Sequence, residues 1–486
     1  MESHIKDAIF KIQDSKFKKK LVTCDLKLKS LMLVTRYSLL VTVLLATGCW
    51  LPADVYGQDR QRIVLNLEQC IRKAIEVSPE IGEARYEEEV YKYRKMQADS
   101  AMYPQIELFA ITGPSPEARK SDFLRTDVKS TSINGVFGSV EVTLIQPIYT
   151  FGKIAGYREA ALSGIKVAQA GTDKKTSDIV LRTKELYYSL LLAMDMRNLV
   201  LKIKDDLIDA IKKAERQIEI GSPWADEANL FKLRAFLGEV ERNLNEAEKG
   251  AALARDALIT IMGLPRDIDF DIADSTLTPE DKIPAELAQY LRNAKKMRPE
   301  FIQLKEGLNA RNALVRAERS GFYPQLFVGL RASAAGATNR DRINNPYVFD
   351  HFNHAYGALF MGLKWSIDFG ITKGRVKEAE AEYYKLTEKK RFAEGAIPFQ
   401  VRKAYLDFQE AEKNIVALEK AHKNARKWVV TAMLNFDMGI GEAEEIGEAA
   451  VIYAQTKANY IRSVFNHRMS FANLLYAAGM DLVDIK

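Results

Sequence analysis

The sequence predicts a mainly α chain with a small β part: two tandem copies of a long α-helical hairpin, each preceded by a pair of strands. Three observations carry this prediction. The first is internal repetition. Cys70-Ile71-Arg72-Lys73-Ala74 through Ser78-Pro79-Glu80-Ile81 returns 220 residues later as Tyr290-Leu291-Arg292-Asn293-Ala294 through Arg298-Pro299-Glu300-Phe301. Tyr103-Pro104-Gln105 returns as Tyr323-Pro324-Gln325, Gln146-Pro147-Ile148 faces Trp365-Ser366-Ile367, Ile220-Gly221 faces Met438-Gly439, and Gly263 faces Gly479. A period this long is a subdomain, not a solenoid unit of ~20–50 residues. The second is length: Lys153 to Glu219 has no proline, and Lys373 to Asp437 has only Pro398. The third is a pair of β-rich, partly alternating segments in each copy.

Taken in order, Leu65 to Met102 reads as a helical stretch ended by Tyr103-Pro104, because proline cannot continue a helix and extends its predecessor. Ile106 to Ile111 and Ser139 to Ile148 read as strands, with Val140, Val142 and Leu144 alternating against Glu141 and Thr143. Gly113-Pro114-Ser115-Pro116 and Thr131-Ser132-Ile133-Asn134-Gly135 read as the loop between them. Copy two repeats this with strands at Gln325 to Ala334 and Tyr356 to Ile367. The proline-poor segments would each reach about 100 Å at ~1.5 Å per residue, and such helices need lateral partners throughout. Val401, Phe408, Ile415, His422, Val429 and Phe436 lie seven apart, with Ala404, Ala411, Leu418, Ala425 and Ala432 three residues on. That is a coiled-coil seam whose small second line permits close approach. Leu186, Ala193, Val200, Leu207 and Ala214 keep the same period in copy one. Antiparallel hairpins turning near Gly221-Ser222-Pro223 and Gly439-Ile440-Gly441 follow. The expected divisions are copy one at 63–266, a linker at 267–284, copy two at 285–480 and a tail at 481–486.

Length allows two to four domains, and composition is that of an ordinary globular chain with 28% charged residues. Residues 1–57 read as an export signal: Lys16, Lys18, Lys19, Lys20 and Arg36 precede a short apolar run from Leu39 to Trp50. Met32 is an alternative start. Cleavage is expected after Gly57, while Ala46-Thr47-Gly48-Cys49 is a partial lipoprotein box that makes Cys49 a candidate lipidation site. These 57 residues hold nine Lys/Arg and five Asp/Glu, a net of +4, so the formal +6 falls to +2 without them. Nucleic-acid binding loses its main support. Cys70 is then the remaining cysteine, so an intrachain disulfide is excluded.

No phosphate-cradling glycine loop, Cys-x-x-Cys or nucleophile elbow occurs, and neither cofactor, metal nor enzymatic activity is expected. Asp350-His351-Phe352-Asn353-His354 reads as a polar loop, and Cys70 as packed. Four strands cannot close a barrel alone, and hydrocarbon tolerates no open sheet edge. If they cross a membrane, several chains must share one barrel. Tyr103, Tyr149, Phe151, Tyr323, Trp365 and Phe369 sit at the strand–helix junctions, where an interfacial girdle belongs.

The repeat, the Tyr-Pro-Gln before each first strand, Gln146-Pro147-Ile148-Tyr149-Thr150-Phe151-Gly152 after the second, and Gly263-Leu264-Pro265 resemble the TolC family of outer-membrane efflux proteins, from about Ile63 to Met480. The resemblance implies a homotrimer in which each protomer gives four strands to a twelve-stranded outer-membrane β-barrel, continued across the periplasm by an α-barrel. It implies a passive exit duct for efflux or type I secretion, served by a periplasmic adaptor and an inner-membrane transporter and surrounded by outer-membrane lipid. At the hairpin tips it places a gate at Glu445 and Glu448, with Glu444 nearby and Phe436 as its aromatic member. It departs from the family pattern at Gly441, where a basic residue is expected. Ile220, Gly221, Ser222, Met438, Gly439 and Ile440 correspond to adaptor-contact tips. Tyr103, Tyr149, Tyr323 and Trp365 would mark the membrane interface. The other readings are a periplasmic coiled-coil adaptor and a structural protein without a membrane barrel.

Overall fold

The computed structural model describes residues 63–117, 132–221, 227–280, 284–343, 347–438 and 440–482. The expected signal with Cys49, and also Ser222 and Gly439, lie outside them. In chain order the elements are β1 (Ile63–Leu65), α1 (Leu67–Val77), α2 (Pro79–Ser100), β2 (Gln105–Pro116), β3 (Ile133–Tyr149), α3 (Lys153–Glu219), α4 (Glu227–Ile261), β4 (Phe270–Ile272), α5 (Leu287–Met297), α6 (Pro299–Arg319), β5 (Gln325–Ala337), β6 (His354–Lys364), α7 (Ile371–Asp437) and α8 (Ala443–Ala478).

The stretch expected as one helix from Leu65 to Met102 is two. Pro79 has no amide to donate and pushes Ser78 to φ −57°, ψ 119°. Ser78 then caps α2, its hydroxyl accepting from the Ile81 amide at 3.4 Å. Copy two breaks at Arg298-Pro299, but Arg298 supplies no cap. It is buried instead, paired with Glu300 at 2.8 Å and donating to the Gln400 side chain and the Ala477 carbonyl, both at 3.2 Å.

Several strand boundaries also differ from expectation. Gly113 to Pro116 and Ile133 to Gly135, read as loop, are paired strand. Their prolines are tolerated because β2 is an edge strand, whose outward side needs no ladder partner within the chain. β6 ends at Lys364 rather than Ile367, because β5 begins with Gln325 opposite Lys364 and leaves nothing for the next residues to pair with.

α3 and α7 have 67 residues each and run unbroken, α7 through Pro398. Their partners change along their length. In the strand-proximal half the order is α2–α3–α6–α7; towards the tips it is α4–α3–α8–α7. The seam expected in copy two is core, with Val401, Ala404, Phe408, Ala411 and Ile415 buried. In copy one Leu207 and Ala214 of the expected line are buried together with Leu199, Ile203 and Ile211, whereas Leu186, Ala193 and Val200 are half-buried.

Midway along the helices lies a belt. β1 pairs in parallel with β4, Ile63 opposite Phe270, and so ties residue 270 of the expected linker to copy one. Cys70, Tyr187, Leu258, Met262 and Phe270 form the cluster beneath, and burial pushes the Cys70 thiol up to about 12, so it is inert packing. Residues 274–280 cross onto copy two as a strap. Asp274 accepts from the Tyr187 hydroxyl at 2.8 Å, and Asp195 accepts from the Leu277 amide at 2.9 Å. Arg468 donates to the Thr278 carbonyl at 2.7 Å and pairs with Glu280 at 2.6 Å. Burial holds His467 below the ordinary histidine range, which keeps Nδ1 able to accept from the Glu280 amide at 3.3 Å.

Gly263 and Gly479, matched in the repeat, end α4 and α8 at φ 61° and 69°. A Cβ at Gly263 would lie 2.4 Å from Val77 Cγ1, and one at Gly479 would lie 2.9 Å from the Arg298 backbone nitrogen. Each return helix therefore closes against the end of its own copy's first helix, at a left-handed turn that favours glycine.

Candidate functional site

The sheet runs β2–β3–β5–β6, antiparallel throughout. Cross-strand partners share a face, and faces alternate along each strand. The register therefore aligns Ile106, Leu144, Leu330 and Leu359 in one row, and Leu108, Val142, Ala332 and Gly357 in the next, on a single face. The opposite face carries Glu107, Thr143, Arg331 and Ala358 in one row and Phe109, Glu141, Ser333 and Tyr356 in another. Glu107, Glu141, Arg331 and Lys364, the Asp, Glu, Lys and Arg residues of these strands, all fall on that second face. Glu141 and Arg331 pair there at 2.7 Å. One uncharged apolar face and one polar face are what a wall between lipid and an aqueous lumen requires.

At the helix-proximal end of the sheet, Tyr103, Tyr149, Tyr323 and Trp365 are all more than half exposed. Phe151 joins the copies, stacked on Tyr323 with centroids 5.1 Å apart and edge-on to Tyr149 at 4.6 Å. At the other end Asp350 organises the β5–β6 loop. It accepts from the Ile343 and Phe352 amides at 3.0 Å and from Asn353 at 3.3 Å. Among the described residues no group of His, Cys, Asp and Glu is arranged to hold a metal ion.

At the tips, the expected gate residues take different positions. Glu444 is exposed and pairs with Lys232 of the first hairpin at 2.8 Å. Glu445 is half-buried and accepts from the Trp428 indole at 3.4 Å, while Glu448 is exposed. Phe436 is not free. It packs with Val429 and Met433 on the buried cluster of Ala432, Ile446 and Ala449, and lines a 230 Å³ cavity between the hairpins. A second inter-hairpin pair, Lys213–Asp437, spans 3.5 Å. Both pairs are exposed and each contributes ~0–1 kcal/mol. Lys232, Lys213 and Trp428 were not among the expected tip residues; their partners lie 212, 224 and 17 residues away in sequence. Gly441 has a local reason. Its amide donates to the Asn435 carbonyl at 3.1 Å, and a Cβ there would lie 2.8 Å from the Phe436 nitrogen. The expected basic side chain has no room. Ile220, Met438 and Ile440 are each more than 60% exposed, and Gly221 turns at φ 63°.

A sequence profile of the outer membrane efflux protein family matches residues 70–264 and again 290–479, once per copy. No curated protein matches the chain by sequence. Among solved structures, CusC, described as forming a transmembrane channel, has a TM-score of 0.72 at 15% identity over 86% of this chain and 93% of its own. The outer membrane protein VceC of Vibrio cholerae gives 0.69 at 16% identity over 85% and 96%. The CmeC outer membrane channel of Campylobacter jejuni gives 0.72 at 15% identity over 86% of each chain. At these identities the likeness speaks for the fold, while the doubled profile match speaks for descent. The chain belongs to the outer membrane efflux protein family.

Proposed function

We propose that three copies of the chain close into one passive duct, which carries cargo from an inner-membrane transporter and its periplasmic adaptor across the outer membrane. The observation that carries this reading is the four-stranded sheet with β2 and β6 unpaired at its edges. Open edges are intolerable in hydrocarbon. With an even number of alternating strands, β6 of one copy meets β2 of the next in antiparallel sense. Four strands from each of three copies make twelve. Ladders of eleven and twelve pairs at ~3.4 Å reach roughly 40 Å, and a tilt of ~40° brings this to about 30 Å, a bilayer core.

The helices also have free flanks. Phe392, Phe399 and Leu406 lie seven apart and exposed on α7, and Tyr86, Val90 and Tyr93 are exposed on α2, at opposite edges of one helical layer. Joining copies would cover both stripes. In such a ring Glu445 and Glu448 of each copy converge near the axis with Glu444 beside them, and Tyr103, Tyr149, Tyr323 and Trp365 form the periplasmic girdle. Carboxylate rings attract cations and repel one another, so they favour opening unless bridged or protonated. The exposed Ile220, Met438 and Ile440 at the tips suit an adaptor's hairpin. No step of this reading requires catalysis or a cofactor.

The gate is tested in planar bilayers with Glu445→Gln combined with Glu448→Gln. Loss of cation preference and of divalent block is expected. Unchanged preference and unchanged block would reject the carboxylate ring while leaving the duct standing.

A further inference from the structure

We propose that the cleft where the sheet meets the helices is a binding site for an amphiphilic anion. This 760 Å³ cavity is bounded by α2, the start of α3 and the helix-proximal ends of β3, β5 and β6. Three cations line it, Arg94, Lys153 and Lys364, and no Asp or Glu does. None of the three has a carboxylate partner among the described residues. Their neighbours on the same helices do: Lys95 pairs with Asp99 at 2.6 Å and Arg158 with Asp99 at 2.7 Å. Three cations gathered on one cavity with no acid in its lining constitute a recognition feature.

The rest of the lining is mostly apolar, with Gln97, Gln105, Thr150 and Gln325 as its uncharged polar members. Tyr91, Tyr157 and Phe327 present rings to the cavity, and the Arg94 guanidinium lies 5.0 Å from the centroid of Tyr91. The Tyr157 hydroxyl is already engaged, donating to Glu318 at 2.8 Å, so this residue offers its ring. An acidic group held by charge-assisted hydrogen bonds, with an apolar body against aromatic walls, satisfies both halves of the site. Phe327 and Lys364 belong to the charged face of the sheet. The cavity thus opens towards the duct interior, a placement that rests on the proposed duct, whereas the chemistry of the cavity does not. The same chemistry fits a soluble organic acid in transit and a phospholipid headgroup.

The test uses the full chain in phosphatidylcholine nanodiscs, titrated calorimetrically with naphthalenesulfonate and with the uncharged naphthalenesulfonamide. The sulfonate should bind at least ~10-fold more tightly, as bonds to a charged group predict. Arg94→Gln, Lys153→Gln and Lys364→Gln together should abolish that margin. Lys364→Glu alone, on an exposed strand end, should reduce it should the triple variant fold poorly. Equal binding of the two probes, or an undiminished margin in both variants, would overturn the proposal. Phosphatidylglycerol nanodiscs separate the sources: sulfonate binding lost there identifies a lipid headgroup as occupant, and binding retained there identifies a soluble anion. Conductance of the same preparation is read independently. Binding without conductance would sink the duct and spare the site; conductance without the charge preference would do the reverse.

Discussion

The groove beside α3 and α4 and the groove beside α7 and α8 stand at the same place in the two copies and have opposite chemistry. At an offset of 218, Ser189, Leu192, Met196 and Val200 of the first groove correspond to Asp407, Glu410, Asn414 and Leu418 of the second. At an offset of 216, Asn243, Gly250 and Ala254 correspond to Asn459, Asn466 and Ser470. The first groove is an 830 Å³ apolar trough also lined by Gly447, Ala450, Val451 and Ala454 of α8; the second is a 560 Å³ polar trough lined by α7 and α8 alone. The copy-two seam keeps its heptads against its own return helix, whereas Ala193 and Val200 of the copy-one line open onto the first groove. The outward surfaces diverged because one copy receives a helix of this chain and the other does not. Duplication preserved what each copy packs against itself and released what it packs against its neighbour.

The sharpest break of that comparison is expected at Ser78 and Arg298, which begin equivalent helices. Arg298→Ala leaves the Glu300 carboxylate with Lys174 at 3.7 Å in place of its close partner and should destabilise by about 3 kcal/mol, whereas Ser78→Ala loses a cap at ~1 kcal/mol. Urea midpoints of the solubilised protein measure both. Burial pushes Glu300 up, but the hydrogen bond and charge of Arg298 outweigh it and hold the carboxyl below its ordinary range. A depressed acid stabilises the fold above its unfolded pKa, and that contribution is lost as pH falls through the folded value. Arg298→Ala should therefore flatten or invert this part of the acid-side loss.

A smaller difference separates the matched glycines. Gly479→Ala drives a Cβ into the backbone at Arg298, while Gly263→Ala meets Val77, whose half-exposed side chain can turn away. Both incur the ~1 kcal/mol left-handed penalty, and Gly479→Ala should lose at least about 1 kcal/mol more. Equal losses would mean the two closures are not specialised.

The smallest effects test the grooves directly. Met196→Asn gives the first groove the residue of the second and should destabilise by ~1 kcal/mol, since Met196 is half-buried in the seam beside α8. Asn414→Met makes the reverse exchange on an exposed site and should stay within about ±0.5 kcal/mol. Symmetric responses would contradict the assignment of one groove to this chain's own α8.

What was legible in the sequence was what repeats locally. Val401, Phe408 and Ile415 announce the seam because seven-residue spacing survives in the sequence itself. The 67-residue α3 matches the proline-free stretch end for end. The turn at Gly441 was visible as a departure but not as a cause, because the crowding comes from the backbone at Asn435 and Phe436. β1 and β4 were hidden for a different reason: three-residue strands carry no period, and Ile63 finds Phe270 only through the fold. The same holds for Lys232 with Glu444, and for Arg94, Lys153 and Lys364, which three separate elements bring to one cavity. Phe436 was read as a gate by analogy, while its seven-residue relation to Val429 already placed it in the packed line the structure shows.

The most direct test of the duct is to measure mass and single-channel conductance on one preparation of the full chain, extracted from the outer membrane in mild detergent. Three chains per particle, with discrete channels inserted by the particles of that mass, is the predicted result. A particle of one chain, or a trimer that never conducts, would contradict it: the first would leave β2 and β6 without partners, and the second would leave the polar face without a lumen.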